Sequence, residues 1–216
     1  MQEPREHDTG LRARLVETGV ELVTGEGTQS LSLREIARRA GVSHGAPRRY
    51  FPTHLSLLSA IAREGFTALA ARAAEAIGAI GDGGDAGVAG PTETRGGART
   101  ASPRDQLLAL GRVYLDFALT NRGMFELMFR HDLPESDALG PRGTSLPLFD
   151  MFVDLVGRAG PRTDAPPDVV AGALWANLHG IAQLWGRGSL RPATGSDDVE
   201  PLLRAAIDAH LGPGRR

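Results

Sequence analysis

The chain has 216 residues, of which 41% are apolar and 23% charged, and its formal net charge is −2. This is enough apolar material for the core of one large or two small domains. The absence of cysteine excludes disulfides, thiol catalysis and cysteine-ligated zinc. All 24 basic residues are arginine, and the small net charge argues against a general nucleic-acid coat while allowing a local basic footprint.

The sequence contains no pattern typical of a membrane span or an enzyme. It has no run of about 18 apolar residues, and the polar start MQEPREHDTG is unlike a signal peptide. The six histidines are scattered, with no HExxH, G-x-S-x-G or P-loop pattern. We therefore expect a cytoplasmic protein without a membrane partner, catalytic residues, a metal site or a cofactor.

The first predicted helix runs from about Asp8 to Thr24, and Gly25 and Gly27 end it. Apolar residues recur at helical spacing along its inner face. We expect this helix to support the segment that follows it.

Ser32 to Phe51 predicts two short helices joined by a tight turn. Ser32 and Glu35 have the spacing of a capping box, in which each side chain binds a backbone N–H of the first turn. The helix from Leu33 to Ala40 then presents an apolar face. Gly41 stands where a left-handed residue commonly ends a helix.

After this turn Ser43 is predicted to cap a second helix, from about His44 to Tyr50. Two helices joined in this way are typical of a helix-turn-helix, whose second helix enters a DNA major groove. Between Arg34 and His54 there are five arginines and one acid, Glu35. An ordinary helical hairpin with a solvated arginine face is the alternative, and spacing alone leaves it open.

Leu11 to Leu58 resembles the N-terminal DNA-binding domain of the TetR family of transcriptional regulators. The resemblance is carried by ARRAGVS at 37–43, Gly45–Ala46–Pro47, Tyr50–Phe51 and Leu57–Leu58. The chain departs from many relatives at Arg48, where they have an aromatic residue, and at His54, where they have lysine. The residues expected to contact DNA are Ser32, Arg34, Ser43, His44, Gly45, Ala46, Arg48, Arg49, Tyr50 and His54. For His54, a phosphate contact and a surface position without a role are equally open.

Residues 1–51 are predicted to form the three-helix DNA-binding domain, and residues 52–216 a C-terminal effector-binding and dimerisation domain. A long helix opens the second domain near Pro52. The segment 81–103 holds seven glycines and two prolines, so we expect a flexible loop. Four further helices and a short one are predicted at about 102–120, 124–130, 146–158, 166–187 and 198–211. The fold class is therefore all-α, with about nine helices.

The WANLHG segment at 175–180 is similar to the WHG signature of one C-terminal domain type of TetR-like regulators. That resemblance implies an effector cavity and a dimer interface. The residues expected to line the cavity are Tyr114, Phe117, Phe125, Met128, Phe129, Phe149, Phe152, Trp175 and His179. Plain core packing is the alternative for the Met and Phe cluster and for His179.

The helix at 166–187 is apolar on two sides, and such a helix must be covered on both. We expect a symmetric partner to cover one of them. The residues assigned to that dimer interface are Leu174, Leu178, Ile181, Trp185, Leu202, Leu203 and Ala206.

These resemblances imply a homodimeric regulator that binds a near-palindromic duplex operator. A repressor released by a small apolar or aromatic effector is the leading hypothesis. An activator of the same fold is one alternative. The other is an all-helical small-molecule carrier or enzyme with an incidental N-terminal hairpin.

Overall fold

The computed structural model describes residues 5–82, 101–133 and 141–212. Most of the glycine-rich segment predicted to be flexible, 81–103, lies outside these residues. Within the described ranges the chain forms ten α-helices and one 3₁₀ turn, without a strand, so the all-α prediction is confirmed. No helix in these ranges combines the length and hydropathy needed to cross a membrane.

Ten helices follow one another along the described ranges. They are α1 (Arg5–Glu26), α2 (Leu33–Arg39), α3 (Pro47–Tyr50), α4 (His54–Asp82), α5 (Pro103–Thr120), α6 (Arg122–Met128), α7 (Arg142–Ala159), α8 (Pro167–Gly186), α9 (Leu190–Thr194) and α10 (Glu200–Leu211). The 3₁₀ turn is Thr28–Ser30. The helix that the sequence did not predict is α9, because five residues are too few for a periodic signal.

Helix α7 begins at Arg142, earlier than the predicted start near Leu146, and Pro147 lies inside it. The prediction placed Pro147 in the first turn, where a missing N–H has no cost. In the structure Pro147 removes one intrahelical hydrogen bond and the helix continues through it.

The chain divides into two compact units that do not follow chain order. Unit 1 comprises the described parts of Met1–Ala68 and Thr120–Pro147, and unit 2 those of Leu69–Leu119 and Leu148–Arg216. Helix α4 is shared between them, and α6 belongs to unit 1. The sequence-based division at residues 51 and 52 follows chain order instead.

Unit 1 is built on a core to which α1, α2 and α4 all contribute. Leu15, Ile36, Phe51 and Leu57 are fully buried in it. A Cβ at Gly19 would lie 2.3 Å from Cδ1 of Ile61, so this glycine allows α1 to pack closely on α4. The same position lies 3.8 Å from Cδ1 of Ile36 in α2, and α1 also contacts α3, so the predicted supporting role of α1 is confirmed.

Helix α6 packs against two other elements of unit 1. A Cβ at Gly123 would lie 2.3 Å from the carbonyl oxygen of Val23, at the end of α1. A Cβ at Gly65 of α4 would lie 2.7 Å from the sulfur atoms of both Met124 and Met128. The two glycines therefore let α6 approach helices that are distant in sequence.

Unit 2 has its own core, formed by α5, α7, α8 and α10. Its fully buried members include Leu107, Leu115, Leu174 and Ile207. Ion pairs on its surface join α5 to α10. Arg112 Nε donates to Glu200 Oε2 over 2.9 Å, and Arg104 pairs with Asp208.

Candidate nucleic-acid interface and effector site

Helix α2 begins with half of the predicted capping box. The hydroxyl of Ser32 accepts a hydrogen bond from the backbone N–H of Glu35 over 3.1 Å. The reciprocal bond is absent, because the N–H of Ser32 donates to the carbonyl of Ser30 and the Glu35 carboxylate binds arginines. The prediction was therefore correct for Ser32 and wrong for Glu35.

The turn after α2 has the predicted left-handed glycine, with φ of 67° at Gly41. The N–H of Gly41 donates to the carbonyl of Arg38, and that of Val42 to the carbonyl of Ala37. This pair of bonds is the Schellman motif, which satisfies the last carbonyls of a helix. Arg14 of α1 adds a bond over 2.6 Å to the carbonyl of Ala40. The turn is therefore held both by its own backbone and by the supporting helix.

Helix α3 is shorter than predicted and begins at Pro47, not at His44. Ser43 does not cap it. Its carbonyl accepts from the N–H of Ala46 in a separate turn, and Ala46 stands at the N-cap. The reason is Pro47, which has no N–H to donate into an earlier helical turn and suits the first helical position. Pro47 is buried, so it anchors the start of the helix to the core.

The candidate interface exposes residues of suitable chemistry around α3. Ser43, His44, Gly45, Arg48 and Arg49 are exposed, while Ala46 and Tyr50 are half-buried. On α2, Ser32 and Arg34 are exposed as well. In the described part of the chain, Arg34, Arg48 and Arg49 form no ion pair. These guanidinium groups can donate hydrogen bonds to phosphates or base edges without first breaking an ion pair within the protein.

The other two arginines of α2 are paired within unit 1. Arg38 Nε and Nη2 donate to Glu35 over 2.8 and 2.6 Å, and Arg39 Nε donates to Glu35 over 2.9 Å. Arg39 also pairs with Glu26 over 2.5 Å. The hydrogen bonds from Arg38, and then those from Arg39, lower the pKa of Glu35 to about 2.

His54, at the start of α4, binds within unit 1. Its Nε2 lies 2.6 Å from the carbonyl oxygen of Leu31, so Nε2 carries the proton and donates it. This bond ties the beginning of α4 to the segment before α2. A phosphate contact by His54 would have to use the other ring nitrogen or break this bond.

In unit 2, three polar aromatic side chains form a directed hydrogen-bond chain. The indole N–H of Trp175 donates to the hydroxyl of Tyr114 over 3.2 Å, and that hydroxyl lies 2.8 Å from Nδ1 of His179. An indole can only donate, so the tyrosine hydroxyl accepts from Trp175 and has its own proton to donate to Nδ1 when His179 is neutral with its proton on Nε2. Burial favours these neutral forms, because it raises the pKa of Tyr114 and lowers that of His179.

Two phenylalanines of α7 pack beside these three hydrogen-bonded side chains and complete an aromatic cluster. The rings of Phe149 and Trp175 lie edge to face with centroids 6.1 Å apart, and Phe152 lies 6.4 Å from Phe149. Trp175 is 37% exposed and both phenylalanines are half-buried. The cluster therefore combines accessible ring faces with an uncharged polar centre.

The remaining predicted effector-lining residues lie elsewhere. Phe117 is buried in unit 2, with the guanidinium of Arg72 5.3 Å from its ring centroid. Phe125, Met128 and Phe129 belong to unit 1, where Phe129 packs edge to face on Phe66 at 5.5 Å. The predicted set is therefore divided between the two units, and five of its nine residues form the cluster in unit 2.

The predicted dimer interface falls mainly on the inner side of α8 and α10. Leu174, Leu178 and Trp185 are at most 5% exposed, and Leu203 and Ala206 at most 8%, within a single chain. Ile181 and Leu202 are half-buried. The stripe chosen from the sequence thus packs largely into the core of unit 2, and Ile181 and Leu202 keep part of their surface exposed.

The outer side of the same two helices carries small and apolar residues that were not included in the predicted interface. On α8 it includes Ala173, Ala176 and Leu184, which is 44% exposed, and on α10 Ala205 and Ala209.

No group of three or more potential metal ligands occurs among the described residues.

Comparison with known proteins gives two family matches. Residues 15–61 match the family described as bacterial regulatory proteins, tetR family. Residues 107–210 match the family described as tetracyclin repressor-like, C-terminal domain. The two matches follow one another without overlap and together cover most of the chain. None of the curated proteins matches it.

Solved structures share the fold over nearly the whole length. A protein of unknown function from Rhodococcus sp. RHA1 is 27% identical, with 96% of each chain covered and a TM-score of 0.70. A TetR-family transcriptional regulator from Rhodococcus sp. is 19% identical over 94% of this chain and 99% of its own, with a TM-score of 0.62. The multidrug binding protein EbrR, complexed with imidazole, is 24% identical over 99% and 96%, with a TM-score of 0.59.

Proposed function

Because the chain belongs to the TetR family of bacterial transcriptional regulators, we propose that it is a homodimeric repressor released from its operator by a small, uncharged aromatic or apolar effector. The observation that carries this proposal is the α2–turn–α3 segment. It exposes Arg34, Arg48 and Arg49, which form no ion pair with any described residue, on a frame held by the Gly41 turn. The protein then acts as a DNA-binding regulator and not as an enzyme, in the cytoplasm, where bacterial DNA lies.

Helix α3 supplies the sequence-reading contacts. Arg48 and Arg49 can bind guanine edges in the major groove, and the small Gly45 and Ala46 allow the backbone to come close. His44 lies exposed in the turn before α3.

Residues around α3 supply the phosphate contacts. Ser32, Arg34, Ser43 and Tyr50 suit this task because phosphate oxygens accept hydrogen bonds from hydroxyl and guanidinium groups. His54 contributes mainly by holding the start of α4 against Leu31.

Dimerisation uses the outer sides of α8 and α10. Small side chains such as Ala173 and Ala176 permit close helix approach, and Leu184 would bury its exposed part against the partner. Asn177 and His210 bind one another over 2.9 Å at the junction of the two helices. Two-fold symmetry of the protein matches a near-palindromic operator, in which the half-sites read by such helices lie about 34–36 Å apart or a multiple of this distance.

The effector binds at the aromatic cluster of Tyr114, Phe149, Phe152, Trp175 and His179. An uncharged polar centre favours a neutral ligand, because a charged one would lose its hydration without gaining a counter-charge. The likeness to EbrR, a multidrug binding protein, supports a small-molecule effector. A ligand that prefers one conformation of the dimer would change operator affinity by its differential affinity for that conformation.

A mobility-shift experiment tests DNA binding. The purified protein should select particular fragments of genomic DNA in the presence of competitor, with affinity that falls as salt rises. Arg48→Ala with Arg49→Ala should abolish the shift while helicity and dimerisation are unchanged. The control, Arg158→Ala with Arg187→Ala, removes the same charge from exposed positions of unit 2 and should retain it. Selective binding by the first double variant would refute the assignment of α3.

The recovered fragments then test the effector site. Neutral aromatic compounds should release the wild-type protein from its selected fragment. Trp175→Ala should bind the fragment equally well but respond to higher concentrations of the compound. Release of the variant at wild-type concentrations would place the effector elsewhere.

A further inference from the structure

Glu35 collects most of the hydrogen bonds that the paired arginines of α2 donate. Its carboxylate accepts two from Arg38 and one from Arg39. Glu26, at the end of α1, accepts a second bond from Arg39. Two acids thus hold two of the five arginines that lie between Arg34 and His54.

Arg38 lies on the same face of α2 as Arg34, the arginine predicted to contact a phosphate. The two are four residues apart, which places them one above the other, about 6 Å along the helix axis. This separation is less than the Debye length of roughly 8 Å at physiological salt. A phosphate near Arg34 would therefore act strongly on an unpaired Arg38, and its partner Glu35 is what moderates that attraction.

Stability alone does not explain this ion-pair network. The side chain of Arg38 is 63% exposed and that of Arg39 is 40% exposed, and ion pairs between exposed side chains contribute little to folding. Engaging these arginines has a larger effect on DNA binding, because each phosphate contact by a protein cation contributes to affinity for any DNA sequence. Since the pKa of Glu35 is lowered to about 2, the carboxylate is ionised throughout the physiological range.

We infer that Glu35 limits sequence-independent DNA binding by engaging Arg38 and Arg39, so that only Arg34, Arg48 and Arg49 are immediately available to phosphates. This inference rests on the proposed function, since it concerns the same interface. A lower affinity for arbitrary DNA leaves more of the protein free to find its operator, because non-specific sites vastly outnumber it.

The test compares Glu35→Gln with Glu21→Gln on a short duplex of random sequence. Glu21 is exposed on α1, and in the described part of the chain it forms no ion pair. The two variants therefore have the same net charge, but only the first releases arginines. Binding is measured by fluorescence anisotropy over a series of salt concentrations, and circular dichroism verifies that both variants fold.

Glu35→Gln should bind the random duplex several-fold more tightly than Glu21→Gln at low salt. Its plot of log affinity against log salt should be steeper by about 0.9 for each released arginine that reaches a phosphate. Glu26→Gln should have a smaller effect, because Arg39 keeps its bond to Glu35. Equal affinity and equal slope for Glu35→Gln and Glu21→Gln would overturn the inference.

A second comparison does not require changing Glu35. In the otherwise unchanged chain, Arg38→Gln should leave affinity for the random duplex almost unaltered, whereas Arg34→Gln should lower it. An equal loss of affinity in both variants would contradict the inference that Glu35 keeps Arg38 from binding phosphates. If the unaltered protein fails to bind any duplex even at low salt, the proposed function fails instead, so the two failures are distinguishable.

Discussion

The α2–turn–α3 segment of unit 1 and the aromatic cluster of unit 2 are built from contacts of different range. In the first, most of the bonds that shape the turn join residues a few positions apart, such as Ser32 with Glu35 and Ala37 with Val42, and Arg14 adds one to Ala40 across 26 positions. In the second, Trp175 binds Tyr114 across 61 positions of sequence.

The two sites also differ in how deeply their side chains are buried. Arg48 and Arg49 extend from the surface, so they can be replaced without opening a cavity. Tyr114 and His179 are part-buried members of a packed cluster, so changing either alters stability as well as ligand contacts. Surface contacts and folding should thus be separable by mutation in the α2–turn–α3 segment and coupled in the aromatic cluster.

The largest expected effect tests which side of α8 belongs to the core. Leu174→Ala should destabilise unit 2 by about 2–5 kcal/mol, since a fully buried leucine leaves a cavity. Leu184→Ala should cost less than about 1 kcal/mol within one chain but weaken dimerisation. Urea unfolding and sedimentation velocity measure the two effects. Weaker association from Leu174→Ala without loss of stability would restore the original interface assignment.

The next prediction concerns Gly123, which lies far from α1 in sequence but packs against it within unit 1. Gly123→Ala should destabilise this unit by about 1–3 kcal/mol, because the new methyl group would collide with the carbonyl of Val23. Gly78→Ala in α4 is the control. Its Cβ would have no neighbour within 4 Å, so it should stabilise by about 0.5–1 kcal/mol. Thermal unfolding compares them, and equal stability of the two variants would count against the packing of α6 on α1.

A smaller effect is expected from removing the hydroxyl at the centre of the aromatic cluster. Tyr114→Phe deprives the indole N–H and Nδ1 of His179 of their shared partner, at a cost of about 1–2 kcal/mol. The emission of Trp175 should shift, while that of the buried Trp185 should not. Fluorescence of the Trp185→Phe background isolates the first signal. The control is Phe149→Leu, which keeps the hydrogen bonds of Tyr114. It should not produce the emission shift that follows from losing them.

The smallest effect is a pH dependence of unit 2. Burial lowers the pKa of His179 below its ordinary value of 6.5. The unfolded chain therefore takes up a proton on His179 at a higher pH than the folded chain does. The free energy of unfolding keeps its full value above about pH 6.5 and decreases as the pH falls below it. Thermal unfolding from pH 7.5 to 5.5 measures the change. His179→Gln should reduce it and exposed His131→Gln should not; identical pH profiles would refute this assignment.

Local chemistry alone determined much of the DNA-binding segment. The cap at Ser32, the left-handed Gly41 and the local excess of arginine were all predictable, because they depend on residues within about one or two helical turns. The same reasoning failed where a single residue changed the local balance. Pro47 shortened α3, and Glu35 bound side chains where a backbone N–H was expected.

Tertiary structure decided which side of each amphipathic helix faces the core and which distant side chains meet. Helix α8 is apolar on two sides, so periodicity could not show that Leu174 is buried and Leu184 exposed. The placement of α6 in unit 1 and the hydrogen bonds among Tyr114, Trp175 and His179 depend on how distant helices pack. Periodicity reports the preferences of one helix, whereas these contacts depend on the relative positions of several.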